Sequence, residues 1–509
     1  MGLVLCLGTV ADAADHHKDL AKRIDGILSR ADVARGFWGV EIEELDTGRV
    51  LYSRDADQLY IPASNTKLFT TAATLALIGP DYHFRTTVES ATLPDKYGRL
   101  SGDLILVGRG DPNLSGRTLP YNLKTERPLP PEQALAELAD LVVARGVKVI
   151  DGDVVADDSF FVYERYGEGW SQDDLVWEWG APVSALAVND NVVYLNILPA
   201  ERVGERAFVS VSPFAEYFHI ENEVMTSPAG VWPRKIFVQR QPGSDHQEIW
   251  GNIPLTDSGA GEAVAVEEPA EFCARLFWEL LAKRGVVMYG KTRARHSTLA
   301  SVGAITANAS ASPGGGLETP PLSRPPVVLA EHVSLPLAVD IRVINKVSQN
   351  LHAEMLLRLL GHEKGSSASI AGGLEVLRSF LVQADVRPEE IALYDGSGLS
   401  REDLVSPHAT VKLLRFAAQQ SWSADYIASL PVAGVDGTLA ARLKNLPPGA
   451  TVQAKTGSLD HVNTLSGYLT TSKGERLVFS IMGNNHTMLN KKAAEVVDEI
   501  VFEAERVKN

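Results

Sequence analysis

Ile61-Pro62-Ala63-Ser64-Asn65-Thr66-Lys67 opens a run rich in Leu, Ala and Phe that continues to Ile78 and is closed by Gly79-Pro80. Glycine followed by proline stops a helix, so the pattern predicts one over 64–78 with Ser64 in its first turn. Side chains three apart share a helix face, which lets the Ser64 hydroxyl and the Lys67 amine meet. That is a nucleophile with a base beside it. Lys67 must shed its proton to activate Ser64, and neighbouring cations with partial burial lower its pKa in that direction. Backbone N–H groups at the helix start also favour a developing oxyanion. Taken alone, Ser-x-x-Lys is equally the pattern of a capping serine and a surface lysine.

Upstream, Val40 to Leu51 alternates around Val40, Ile42 and Val50 and turns through Asp46-Thr47-Gly48, the pattern of a strand hairpin. Downstream, residues 86 to 295 hold β-rich stretches, among them 104–107 and 192–197, punctuated by helical segments over 132–144 and 270–284. Residues 306–326 are dense in Ser, Gly and Pro and read as a flexible connector closing an inserted region. Beyond it come helices over 351–360 and 407–420, strands near 451–455, 465–469 and 477–482, and a last helix over 490–505. Helices and strands alternate without a βαβ rhythm or an internal repeat. The fold class is mixed α/β (α+β).

At 509 residues, with 45% hydrophobic and 22% charged residues, the chain is long enough for several domains and has the balance of a globular protein. Its 48 basic and 64 acidic side chains leave a net charge of −16, which argues against nucleic acid as a partner. An anionic ligand therefore needs cations gathered in one pocket. The two cysteines, Cys6 and Cys273, cannot form a zinc cluster, and no HExxH run is present, so no metal is expected. Residues 1–13 pair a short apolar run with Ala11-Asp12-Ala13, which reads as a secretory leader truncated at its front. No later stretch reaches the ~20 apolar residues of a membrane span.

Two further motifs change the weight of Ser64 and Lys67. Ser348-Gln349-Asn350 precedes an amphipathic helix, and Lys455-Thr456-Gly457-Ser458 lies on a strand that leads to Leu465-Ser466-Gly467-Tyr468. Ser-x-x-Lys, Ser-x-Asn and Lys-Thr-Gly, in that order, form the motif set of penicillin-binding proteins and related β-lactamases. Ser348 lies 284 positions after Ser64, whereas Lys455 lies only 107 after Ser348, so something large is inserted behind the nucleophile helix. The arrangement resembles the class C low-molecular-mass penicillin-binding proteins, the serine D-alanyl-D-alanine carboxypeptidase/endopeptidase family (peptidase family S13). The resemblance runs from about residue 25 to the end. Gly108-Arg109-Gly110-Asp111-Pro112, Ala181 to Leu186 and Asn189-Asp190-Asn191 look like the family's inserted region. Asp395 to Arg401 and Val435 to Leu439 look like its catalytic domain. Asp460-His461, after the Lys-Thr-Gly strand, departs from the pattern.

The resemblance implies a β-lactamase-like domain, an antiparallel sheet flanked by helices, formed by 14–85 and 330–509, with 86–329 as β-rich inserted domains, two of them nested. It implies Ser64 as acylated nucleophile, Lys67 as its proton acceptor, Ser348 as a proton shuttle helped by Lys455, and Asn350 as a holder of the substrate amide. The N–H groups of Ser64 and Ser458 would form an oxyanion hole, each donor worth about 3 kcal/mol of barrier. Thr456 and Ser458, with Gly457 between them, would bind the terminal carboxylate. Arg401 is expected to reach a carboxylate of the stem peptide, and Asp157 to meet a substrate amine from the inserted region. No cofactor is required. The implied partners are peptidoglycan peptides, with β-lactam antibiotics as covalent inhibitors, in the periplasm or cell envelope. Competing readings are a β-lactamase or esterase with the same trio, and a silent wall-binding scaffold, which has no need of four intact catalytic side chains.

Overall fold

Residues 9–117, 129–298 and 325–507 are described by a computed structural model, with side chains from residue 19 onward. The expected leader falls partly outside: residues 1–8 are not among them, and the helix α1 (Thr9–Leu28) runs through the expected cleavage site. Nearly all of the 306–326 connector also lies outside the described residues.

Period-2 strand geometry builds a five-stranded sheet from both ends of the chain. Strands β1 (Phe37–Glu44), β2 (Val50–Arg54), β3 (Thr451–Leu459), β4 (Val462–Thr470) and β5 (Arg476–Asn484) pair antiparallel in the order β3-β4-β5-β1-β2. Successive side chains of a strand point to opposite faces, and here each face has its own core. Leu477, Phe479 and Ile481 face α1 and the last helix (Asn490–Glu505), whereas Val478 and Met482 face the helical half of the domain. β4 and β5 are consequently buried on both sides.

The helix α2 (Thr66–Leu77) runs through the helical half, with ten of its twelve residues buried. Leu68 and Phe69 are fully buried, each contributing roughly 1.5–3 kcal/mol. Helices α3 (Leu337–Val347), α4 (Asn350–Lys364), α5 (Ile370–Gln383) and α6 (Pro407–Ala418) pack around it. A helix enclosed in this way cannot shift without moving the core, which fixes whatever stands at its start.

After α2 the chain enters Arg85–Ser90, and it returns through Val327–Val333, which pairs antiparallel beside it with Val333 opposite Arg85. The long excursion between them therefore begins and ends at one place, so it leaves the five-stranded sheet of β1 to β5 intact. These two strands complete a five-stranded mixed sheet with Leu104–Val107, Val154–Val162 and Thr292–Ser297. Helices Gln133–Ala144 and Pro269–Lys283 contribute to the core beside it. Among the described residues the excursion also holds three three-stranded sheets: His219–Ser227 with His246–Pro254 and Lys235–Arg240, Ala260–Ala265 with Val192–Leu198 and Phe208–Ser212, and a short one of Val287–Met288, Val149–Ile150 and Arg99–Leu100.

Candidate active site

The first helical turn is tighter than the sequence predicts. Ala63–Asn65 form a 3₁₀ turn that leads into α2, and Ala63 is left-handed at φ 48°. Close packing explains this. A β-carbon on Gly398 would lie 1.8 Å from the Ala63 carbonyl oxygen, and one on Gly457 would lie 2.7 Å from that of Pro62. Two glycines thus let the loop 395–401 and strand β3 close on the Ser64 turn from opposite sides.

Lys67 is fully buried and donates to Ser64 Oγ at 2.9 Å, to Asn350 Oδ1 at 2.6 Å and to the Ser397 carbonyl at 2.6 Å. Burial lowers its pKa to about 7, against the opposing pull of Asp395, Glu354 and Asp403. The cause differs from the sequence expectation, which gave neighbouring cations an equal share. Asp395 organises the loop beneath, accepting from the N–H groups of Ser397, Gly398 and Ser400 and from Trp170 Nε1.

A second pair repeats the motif. Lys455, also fully buried, donates to Ser348 Oγ at 2.9 Å and to the Thr456 carbonyl at 2.8 Å. Burial and then the charge of Lys67 push its pKa well down. Ser348 caps α3 in a left-handed conformation, φ 62°, a strain of roughly 1–3 kcal/mol for a residue with a β-carbon.

β3 lies at the rim of its sheet, so alternate backbone groups face outward. Ala454 N–H turns away from β4 to the Pro431 carbonyl. By the same alternation Thr456 and Ser458 N–H face away from β4, beyond the segment that covers Ala454. Thr456 Oγ1 meets Thr438 Oγ1 at 2.7 Å, and Asn463 Nδ2 donates to Ser458 Oγ at 3.2 Å.

One cleft is lined by Ser64, Ser348, Asn350, Arg401 and Ser458 together with Asp174 and Trp179. Arg401 is exposed; its backbone N–H donates to the Gly169 carbonyl at 3.2 Å and its guanidinium to the Asp460 carbonyl at 3.4 Å, and among the described residues it has no carboxylate partner. Asp157 is placed otherwise than expected. It lies on the strand Val154–Val162, nearly buried, and its carboxylate is taken by Arg295 at 2.9 Å and Ser159 Oγ at 2.5 Å. The carboxylate that the inserted region brings to the cleft is Asp174, accepting from Trp179 Nε1 at 2.8 Å. Asn350 Nδ2 donates to the Trp179 carbonyl at 2.8 Å, so the inserted region touches the amide that Lys67 also meets. Of the departing pair Asp460-His461, Asp460 lines the cleft, while His461 forms the β3–β4 turn at φ 67° with its Nδ1 at the His486 carbonyl. Among the described residues, the carboxylate and imidazole groups close enough to share a metal ion centre on His408 and His246, away from the cleft.

A serine against a buried amine, with a second serine and amine at the rim of an antiparallel sheet, is the arrangement that lysine-assisted serine acyl transfer requires, on a β-lactamase-like fold. The comparisons narrow that class. The model of the D-Ala-D-Ala carboxypeptidase 3 (S13) family matches residues 20–506, and the chain belongs to that family of serine D-Ala-D-Ala carboxypeptidases. It is 33% identical over 480 residues to a D-alanyl-D-alanine carboxypeptidase of Actinomadura sp. (strain R39), covering 92% of this chain and 81% of that protein. It is 26% identical to D-alanyl-D-alanine carboxypeptidase DacB of Haemophilus influenzae, covering 87% of this chain and 84% of the relative. The crystal structure of penicillin binding protein 4 (dacB) from Haemophilus influenzae shares the fold, with a TM-score of 0.77 at 24% identity over 97% of this chain and 99% of that one.

Proposed function

We propose that the chain removes the terminal D-alanine from peptidoglycan stem peptides through an acyl-enzyme on Ser64, and that β-lactams acylate the same oxygen. The observation that carries this reading is the pair of lysine–serine contacts, both 2.9 Å, opening on one cleft.

Ser64 Oγ attacks the carbonyl of the penultimate D-alanine while its proton passes to the neutral fraction of Lys67. The N–H groups of Ser64 and Ser458 receive the oxyanion, Ser458 from the open rim of β3. Collapse breaks the C–N bond, and the leaving D-alanine amine takes a proton from Ser348 Oγ, which Lys455 replenishes. Water then cleaves the ester. The departing residue's carboxylate sits at Thr456 and Ser458 in the field of Lys455. Asn350 exchanges its contact with the Trp179 carbonyl for the substrate's amide. Arg401 and Asp174 meet the polar side chain of the stem.

We assign the catalytic domain to 14–85 and 330–509 and the inserted domains to 86–329, and infer that the protein is exported. No described helix is long and apolar enough to cross a membrane.

The test incubates the protein with labelled penicillin and, separately, with a D-Ala-D-Ala peptide and a cross-linked peptide dimer, followed by mass spectrometry. Label on Ser64 and release of D-alanine support the reading. Label elsewhere, or an intact peptide, refutes it. Rapid loss of the penicilloyl group would favour the β-lactamase reading.

A further inference from the structure

One sequence motif of the inserted region, Asn189-Asp190-Asn191, meets the loop that carries Ser348, and a second, the Asp111 stretch, lies near Asp340 of the preceding helix. Asp190 sits on a turn whose three residues are all left-handed, at φ 54°, 55° and 55°, a conformation that asparagine and aspartate tolerate best after glycine. The turn is pinned: Asn189 Nδ2 donates to the Val192 carbonyl at 2.6 Å and Asn191 Nδ2 to that of Pro182 at 2.9 Å.

From this rigid base the two oxygens of Asp190 grip the start of α4 on either side of Asn350. Oδ2 accepts from Gln349 Nε2 at 3.1 Å, and Oδ1 faces His352 Nε2 at 3.3 Å. His352 is fully buried, and its other nitrogen lies 2.8 Å from Asp340 Oδ1 on α3. With a carboxylate at each ring nitrogen, both nitrogens donate. Burial opposes the charge, but Asp340 and Asp190 outweigh it and raise the imidazole to about 9. Arg117 approaches Asp190 at 3.3 Å, and buried Asp111 lies near enough to Asp340 to feel its charge. The segment joining α3 to α4, which is Ser348 and Gln349, is thus held at its α4 end by one carboxylate of the inserted region, and His352 links that carboxylate to Asp340 of α3.

We propose that Asp190 is a positioning residue: acting through Gln349 and His352, it sets Ser348 against Lys455 and Asn350 against Lys67. The inserted region then completes the catalytic site as well as walling it. The inference rests on the roles given above to Ser348 and Asn350.

Asp190→Asn tests it in the full chain, because asparagine keeps both the shape and the left-handed backbone while presenting an N–H₂ to a donor. The expected result is a fall in kcat for D-alanine release of at least about ten-fold with KM held within about two-fold. His352→Gln should fall similarly, and the double variant should be no worse than the poorer single. His352→Gln also gives the readout if Asp190→Asn melts below the assay temperature. A folded Asp190→Asn with wild-type kcat overturns the proposal, as do losses that multiply in the double variant. If the wild type takes penicillin at Ser64 yet spares the peptide, the functional reading fails instead. The acylation rate then carries the same comparison, and equal rates in Asp190→Asn and wild type overturn the positioning role.

Discussion

The two ends of the cleft hold the same pair of groups in different surroundings. At one, Lys67 meets Ser64 on a helix enclosed by the core, with Asp395, Glu354 and Asp403 near enough to temper the effect of burial. At the other, Lys455 meets Ser348 on a strained loop, and the next charge it feels is Lys67 itself. Burial disfavours both ammonium ions, but carboxylates oppose it only at Lys67, whose pKa falls to about 7, whereas at Lys455 the charge of Lys67 adds to it. The comparison teaches that equal distances do not make equal chemistry: in the mechanism proposed above the Lys67 end gains and loses a proton near pH 7, while at the Lys455 end burial and the charge of Lys67 both disfavour the ammonium form.

Removing the nucleophile breaks the comparison most severely. Ser64→Ala should abolish penicillin labelling and lower D-alanine release by roughly five to six orders of magnitude, read by intact-protein mass and product assay. Lys67→Arg keeps a charge that arginine cannot give up, so acylation should slow by about 10²–10⁴-fold, measured by stopped-flow with a chromogenic β-lactam. The wild-type acylation rate should rise with pH through about 7, because below it Lys67 keeps its proton and cannot accept another. A profile flat from pH 5 to 9 would remove Lys67 from the role of base. Smaller effects sharpen the outer parts of the cleft. Arg401→Ala and Asp174→Asn, at an exposed and a half-buried charge, should each raise KM by several-fold, on the order of 1 kcal/mol, and leave kcat unchanged. His461→Ala, on a turn that faces the His486 carbonyl, should change either constant by less than about two-fold.

Much of the catalytic domain is legible in the sequence because its elements carry strong local signals. Gly79-Pro80 marks the end of α2, and short β-prone runs such as Leu477 to Met482 mark the strands near β3 to β5. Ser64, Lys67, Ser348, Asn350 and Lys455 are legible as motifs because backbone spacing of three, two and one fixes which groups lie side by side. The inserted region's share is not. Asp157 stands in a segment that reads as a turn, yet pairing with Leu104–Val107 and Thr292–Ser297 makes it a strand. Asp174 reaches the cleft from a 3₁₀ turn set by long-range contacts, with only the nearby tryptophans 170, 177 and 179 as a clue. The left-handed Ser348 and the grip of Asp190 on Gln349 are tertiary facts as well: nothing local announces a bond between residues 159 positions apart.

The position of β3 at the rim of its sheet has a further consequence. A ligand laid along that rim is recognised by the rhythm of its amides, and a mimic that reproduces the rhythm gains the same hold. Narrowing the rim against such a mimic narrows it equally against the natural peptide. In the proposed mechanism, hastening the ester's hydrolysis leaves that rim untouched, whereas refusing entry alters it.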